Sequence, residues 1–396
     1  MEVFEKELHG GAMRDFAEWC RCKASETDGE GSVLKYMTEP ECRRQRSRCA
    51  AMQTSSIEIA FDHRPSAHCE NGVTRNLLHF YGYDYSEPLV FGLSASLYFV
   101  HLPFVRLAGF PVTSFRPLPG MIFSRTTRLL GFGTRQHIYF SRSRAERKLD
   151  RLLAEGTPTG VVVSMYFLPY MPAEYRFHFN AHNIAVFGKD GDDYLVSDPI
   201  AMEKVRLSAR DMMRARFARG TYPPMGKLYY IRSLPRHTPD LPPLVRRAIL
   251  TNCNRMIHQP GPMPWVGINT FDYLGRQIPR FPQQYGPKRA ALHLAQLIRM
   301  MEEIGTGGAG FRFLYAAFLQ EAADVTGIPA LNELSARLTD IGDQWRRFAA
   351  NAGRVCKNRS SADVDYRTLG ADLKAIGGME RTLFTDLERV VRSSKG

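Results

Sequence analysis

A thiol, an imidazole and a carboxylate stand out in this chain because each sits where a predicted element would aim it. The segment Asp62-His63-Arg64-Pro65-Ser66-Ala67-His68-Cys69-Glu70-Asn71-Gly72 opens onto the helical pattern Val73-Thr74-Arg75-Asn76-Leu77-Leu78-His79-Phe80-Tyr81, which puts Cys69 in a first helical turn. Unpaired backbone N–H groups and the positive end of the helix dipole favour a thiolate there. Further along, Ala181-His182-Asn183-Ile184-Ala185-Val186-Phe187-Gly188 reads as a strand with a histidine at its start. Tyr194-Leu195-Val196-Ser197-Asp198-Pro199 reads as the next strand, ending in an aspartate, and Lys189 to Asp193 form the turn between them. If the two strands pair as a tight antiparallel hairpin, His182 and Asp198 meet at one edge of a sheet. A cysteine nucleophile, a base to deprotonate it and a group to fix the base's tautomer make up a catalytic triad.

Each residue also has a plain structural reading. Cys69 could be a buried structural cysteine, His182 a satisfied core histidine and Asp198 a turn residue before Pro199. Their order and strand register together favour chemistry. Other histidines compete: His178 lies four residues before His182, and His63 and His68 flank the cysteine. His68 directly precedes Cys69, so its side chain should diverge from the thiol on a helix. His63, His68 or Asn71 could polarise a carbonyl oxygen beside the Cys69 backbone N–H. Glu87 opens the next predicted helix, where capping explains it as well as function does.

The elements that must position these groups are mixed helices and strands from Ile57 to about Leu234. A helix ends near Gly82, another follows Glu87, and Leu89 to Val105 reads as a buried helix with a hydrophobic end. Ser143 to Glu155 is a charged amphipathic helix, Gly160 to Phe167 a β-branched strand, Leu207 to Ala218 a helix and Lys227 to Ile231 a closing strand. Pro235, Pro239, Pro242 and Pro243 mark a linker. Beyond it the periodicity is helical: Leu334, Leu338, Ile341, Trp345 and Phe348 form one apolar stripe, with similar stripes over 290–304, 311–323 and 369–391. The run Gly305-Thr306-Gly307-Gly308-Ala309-Gly310 lacks the Lys-Ser/Thr of a phosphate loop and reads as a hinge or close-approach loop. The division expected is a polar leader over 1–55 that lacks periodicity and is expected to be disordered, an α+β domain over 56–234 and a mostly α-helical domain over 235–396.

Composition bounds the setting. The chain has 396 residues, 44% of them hydrophobic, enough for two ordinary cores. No long uncharged apolar run suggests a membrane span. The N-terminus lacks the basic and apolar regions of a signal peptide, so a cytoplasmic location is expected. Seven cysteines without regular spacing do not form a disulfide framework. Cys20, Cys22, Cys42 and Cys49 of the leader are spaced poorly for zinc, and no metal is expected. The formal net charge of +13 is uneven. Arg125, Arg128, Arg135, Arg142, Arg144 and Arg147 belong to one basic stretch, against few acids. No nucleic-acid-binding motif accompanies it, and an acidic protein or phosphorylated carrier would be attracted as well as RNA or DNA.

Several of these features resemble a known family. His63-x5-Cys69, Tyr81-Gly82, Ser86-Glu87, Phe91-Gly92-Leu93 and His182…Gly188…Asp198-Pro199 resemble the N-terminal domain of the butirosin biosynthesis protein H family, of papain-like cysteine fold. The segment from Gly307 through Phe311, Arg312, Tyr315, Phe318 and Glu321 to Ala323, with Trp345 downstream, resembles the helical domain that often follows it. The His…Asp-Pro half is shared with the wider papain-like superfamily, including bacteriocin-leader peptidases. One departure is Phe187-Gly188-Lys189, where relatives usually show an aromatic and an acid after the glycine. The resemblance implies an acyltransferase of secondary-metabolite biosynthesis. Cys69 would take an acyl group from the phosphopantetheine thioester of an acyl carrier protein, or from CoA, and pass it to a small amine. No bound cofactor is implied, and a homo-oligomer is compatible. Carrier proteins are acidic, which makes the basic stretch a docking candidate. The rival readings are a cysteine peptidase or amidase and a carrier-binding scaffold without activity.

Overall fold

The computed structural model describes residues 56–107, 109–258, 261–359, 361 and 363–394. Expectations for residues 1–55, including any zinc held by Cys20, Cys22, Cys42 and Cys49, lie outside the described residues. The first half runs β1 (Ile57–Glu58), α1 (Cys69–Phe80), α2 (Glu87–Leu93), β2 (Val100–Leu107), β3 (Phe110–Ser114), α3 (Met121–Leu129), β4 (Gly133–His137), α4 (Arg142–Ala154), β5 (Thr159–Val163), β6 (His182–Asp190), β7 (Asp193–Ser197), β8 (Val205–Ser208), α5 (Ala209–Arg216) and β9 (Leu228–Ser233). The second half is helical: α6 (Leu241–Cys253), α7 (Asn269–Gln277), α8 (Phe281–Tyr285), α9 (Pro287–Ile298), α10 (Arg312–Thr326), α11 (Ala330–Cys356) and α12 (Tyr366–Ser393). None of the described helices is long and apolar enough to cross a membrane.

Among the described residues, seven strands form one sheet in the order β4-β9-β5-β6-β7-β8, with β1 added to β6, and every pairing is antiparallel. β9 is last in the chain but lies between β4 and β5, so it is an interior strand. The strand period of two sorts the side chains. Val161, Val163, Ile184 and Val186 pack under Leu149, Leu152 and Met212 of α4 and α5. Val162, Ala185 and Phe187 face the opposite side, toward Val73 and Leu77 of α1. That second core continues without a break into the helical half, through Phe91, Phe99 and Phe115 to Phe271, Phe311, Trp345 and Phe384. Contact at Gly92 is so close that a Cβ there would lie 2.1 Å from the Phe318 ring. The described residues accordingly cluster as one compact unit.

The apolar stripe Leu334, Leu338, Ile341, Trp345 and Phe348 is the buried face of α11. At its centre Arg312 donates from Nε and Nη2 to the two carboxylate oxygens of Glu380, at 2.8 and 2.9 Å. Trp345 Nε1 donates to the same carboxylate at 2.8 Å, and Arg312 Nη1 donates to the Gly310 carbonyl at 2.9 Å. This network ties α10, α11 and α12 together.

Four local expectations fail for physical reasons. Residues 89–105 are not one helix: α2 stops at Leu93, the Ser94 hydroxyl donates to the Phe91 carbonyl at 2.6 Å, and Ala95 turns the chain with φ 47°. Residues 100–107 form a strand instead, and its end from Phe104 to Leu107 is exposed. The strand expected over 160–167 ends at Val163, followed by a 3-10 turn over Met165–Phe167. Leu207 belongs to β8, and the next helix starts only after Ser208, whose hydroxyl accepts the Asp211 N–H at 3.1 Å. Pro242 and Pro243 are not linker; they occupy the first turn of α6, where a missing N–H leaves no intrahelical bond unmade.

Candidate active site

Cys69 is the first residue of α1, and the side chains of His68, Glu87 and Glu70 hold it there. His68 is the N-cap: its Nδ1 accepts the Asn71 backbone N–H at 3.3 Å. Glu87, at the start of α2, reaches back to accept the backbone N–H groups of Ala67 and His68 at 2.9 and 2.8 Å, which fixes the loop ahead of Cys69. Burial pushes the Glu87 carboxyl up, against the pull of those two N–H groups. Glu70 is fully buried; its carboxylate accepts the Ile122 N–H at 2.8 Å and the Arg116 guanidinium at 3.1 Å. It thus joins the first turn of α1 to the first turn of α3, where an anion is favoured.

The β6–β7 hairpin pairs Ala185 with Ser197 and delivers the other two groups to one sheet edge. His182 Nε2 and Asp198 Oδ2 are 2.8 Å apart, both side chains sealed from solvent. Asp198 also accepts the Tyr170 hydroxyl at 2.9 Å and the Ile200 N–H at 3.0 Å. With Nε2 engaged, Nδ1 of His182 has no other hydrogen-bond partner and is left for the thiol. Gly72 lets α1 approach this edge: a Cβ there would lie 2.4 Å from Pro199 Cβ. The Ser66 N–H donates to the Pro199 carbonyl at 2.8 Å, clipping the cysteine loop to the aspartate turn.

The charges reinforce the geometry. Burial alone would raise the Cys69 thiol, but the His182 charge and hydrogen bond, Arg116 and the Asn183 backbone N–H outweigh it, so its pKa is below the ordinary cysteine value. Burial opposes a charged His182, yet Asp198 and the Cys69 thiolate overcome it and push His182 up to about 10. The pair therefore favours thiolate and imidazolium. His68 is held well below the usual histidine range by burial, then by Arg116, so it is neutral.

The structure thus gathers Cys69, His182 and Asp198, with His68, Asn71 and Glu87 around the start of α1. It turns His63 elsewhere: its ring nitrogens contact Ser197 Oγ at 2.8 Å and the Ala201 carbonyl at 3.1 Å, bracing the turn after Asp198. Asn71 is buried beside His68 and Glu87. His178 is exposed and stacks on Tyr166. Arg128, Arg135, Arg142, Arg144 and Arg147 are exposed, whereas Arg125 is half-buried on α3. Lys189 pairs with Asp150 at 2.9 Å, and Gly188 is needed beside β1, where a Cβ would lie 2.3 Å from the Ile57 carbonyl oxygen. Sequence reasoning missed Glu70, Asn183, Arg116, Tyr170 and Tyr229. Adjacency to Cys69 and His182 was the one signal for Glu70 and Asn183; the others come from distant segments. The glycine run also meets the site: Gly305 and Gly307 lie against Ala67 and His68, and Phe311 is edge-on to the His68 ring at 5.2 Å.

Comparison with known proteins agrees with this layout. Residues 68–199 match the family model described as butirosin biosynthesis protein H, N-terminal. Residues 210–387 match a domain of unknown function, DUF4872. The molecule is a mixed α/β domain followed by a mostly helical one. Among solved structures, a protein from Bacillus anthracis described as C39-like peptidase is 12% identical, with a TM-score of 0.34, over 46% of this chain and 99% of that one. That likeness is too distant to bear on activity. No curated protein matches the chain.

Proposed function

We propose that this protein is a cysteine-dependent acyltransferase that moves an acyl group from a phosphopantetheine thioester to an amine through acyl-Cys69. The observation that carries it is the buried Cys69–His182–Asp198 array, in which Asp198 engages His182 Nε2 and leaves the imidazole Nδ1 to the Cys69 sulfur. The Cys69 thiolate attacks the thioester carbonyl; the tetrahedral intermediate expels the pantetheine thiolate, which takes the proton from His182. The amine then attacks acyl-Cys69, His182 receives the amine proton, and Cys69 leaves as thiolate. Asp198 holds the ring in place throughout and stabilises its charge whenever His182 is protonated. Transfer to an amine in preference to water is supported by the likeness of residues 68–199 to butirosin biosynthesis protein H and by the burial of Cys69, 5% exposed, which limits bulk water.

Intact-mass spectrometry after incubation with acyl-pantetheine and with an acyl carrier protein thioester tests this. The expected result is one acyl adduct on Cys69, discharged by amines faster than by water. A free acid as sole product would make the protein a hydrolase or amidase, and no adduct with a stable carrier complex would make it a scaffold. Reversing Arg128, Arg135, Arg144 and Arg147 should weaken reaction with an acidic carrier several-fold and leave the small thioester unchanged; equal losses with both donors would remove the docking role.

A further inference from the structure

Asn183 follows His182 on β6 and is almost wholly buried, yet the triad does not account for it. Its Nδ2 donates to the Ala181 carbonyl at 3.0 Å and to Cys69 Sγ at 3.8 Å. A carbonyl only accepts, so the Ala181 contact fixes which end of the amide is nitrogen and therefore which end faces the sulfur. The oxygen end, Oδ1, accepts the Tyr229 hydroxyl at 2.9 Å.

Tyr229 comes from β9, two strands away from β6 in the sheet. Its ring crosses Gly160 of the intervening strand, paired with both Tyr229 and Ala185. A Cβ at residue 160 would lie 2.3 Å from that ring, so glycine alone lets the hydroxyl reach Asn183. The hydroxyl is buried and its partner is this amide. The line Gly160–Tyr229–Asn183–Cys69 thus fixes one N–H toward the reacting sulfur. A neutral thiol accepts such a bond weakly; a thiolate accepts it strongly. His63, which the spacing offers as a carbonyl polariser, is committed to Ser197 and Ala201 and leaves this role open.

We propose that Asn183 is a further catalytic residue, whose amide N–H stabilises the Cys69 thiolate and then the oxyanion on the carbon bonded to that sulfur, and that Tyr229 is the positioning residue that orients the amide. The proposal rests on Cys69 being the nucleophile, and not on which acyl donor or acceptor is used. In the first step the sulfur lone pair forms the S–C bond and the carbonyl π electrons move to oxygen; the Asn183 N–H turns from the sulfur, whose charge is spent, to that oxygen.

The test titrates the thiolate by its absorbance near 240 nm, as the difference between each protein and the same protein carrying Cys69→Ala. Donor and acceptor are absent, so the result stands apart from the acyltransferase reading. Asn183→Ala should raise the midpoint by about one pH unit, and Tyr229→Phe, which keeps the ring, should raise it by less. With a small thioester, Asn183→Ala should lower the rate of Cys69 acylation by about 10²-fold at nearly unchanged KM. An unaltered midpoint in folded Asn183→Ala or Tyr229→Phe protein would overturn the proposal, since loss of packing alone lowers the amount of folded protein and leaves the titration where it was. If Asn183→Ala does not fold, the Tyr229→Phe midpoint decides.

Discussion

The Arg312–Glu380 pair and the His182–Asp198 pair are both sealed from solvent, yet they leave different remainders. Around Glu380 the polar atoms close on one another: both carboxylate oxygens take an Arg312 nitrogen, Trp345 adds a third donor, and the last guanidinium nitrogen reaches the Gly310 carbonyl. Around His182 the carboxylate side is equally complete, with Tyr170 and Ile200 filling Asp198, but Nδ1 and the Cys69 sulfur face each other without further strong partners. A closed network holds helices together; an open one at a helix N-terminus can exchange a proton and form a bond. Buried charge by itself says little about function, and the unspent atoms say more.

That contrast can be broken by truncating each side. Cys69→Ala should abolish turnover, by roughly 10³-fold or more, and leave the denaturation midpoint nearly unchanged, because a thiol at a helix start adds little packing. Activity and urea unfolding on the same preparation check it; a variant that retains turnover would remove Cys69 from the chemistry. Glu380→Ala should behave oppositely. It strands a buried guanidinium and should cost about 3–5 kcal/mol of stability, with acylation per folded molecule close to that of the unaltered protein. A Glu380→Ala protein that is stable but cannot be acylated would place the helical half in the reaction.

A smaller and more pointed effect concerns pH. Acylation should rise on the acid side as Cys69 deprotonates, below the ordinary cysteine range, and fall as His182 loses its proton near about 10. Asp198→Asn removes the largest influence that raises His182, so the alkaline limb should move to lower pH, with the rate at the optimum down about 10²-fold. Stability carries the same sign. A histidine raised from 6.5 to about 10 contributes stability that is fully present below 6.5 and lost as pH rises toward 10. In Asp198→Asn the alkaline limb of the rate should therefore shift to lower pH while the alkaline fall in stability becomes shallower; an unmoved alkaline limb would show that another group titrates there.

The sequence by itself determined what depends on short separations. Cys69 at a helix start follows from the local pattern of residues 62–81, and the meeting of His182 with Asp198 follows from a tight turn between two strands, since a short loop fixes register. The stripe on α11 was equally legible, because helical periodicity is local. Where local signals conflicted, the reading failed: the apolar run from Leu89 to Val105 fits a buried helix as well as a helix and a strand, and nothing nearby says that Ala95 will turn the chain. Only the tertiary structure decided the rest. Helix capping and function explained Glu87 equally well in the sequence, and the structure spends its carboxylate on the loop ahead of Cys69; His63 had the spacing of a site residue and is spent on the Asp198 turn. Glu70 finds Arg116 and Ile122, and Tyr229 reaches Asn183 only because β9 inserts between β4 and β5 and Gly160 clears its path. Such contacts join segments tens of residues apart, so no window of sequence contains both partners, and packing of the whole core selects them.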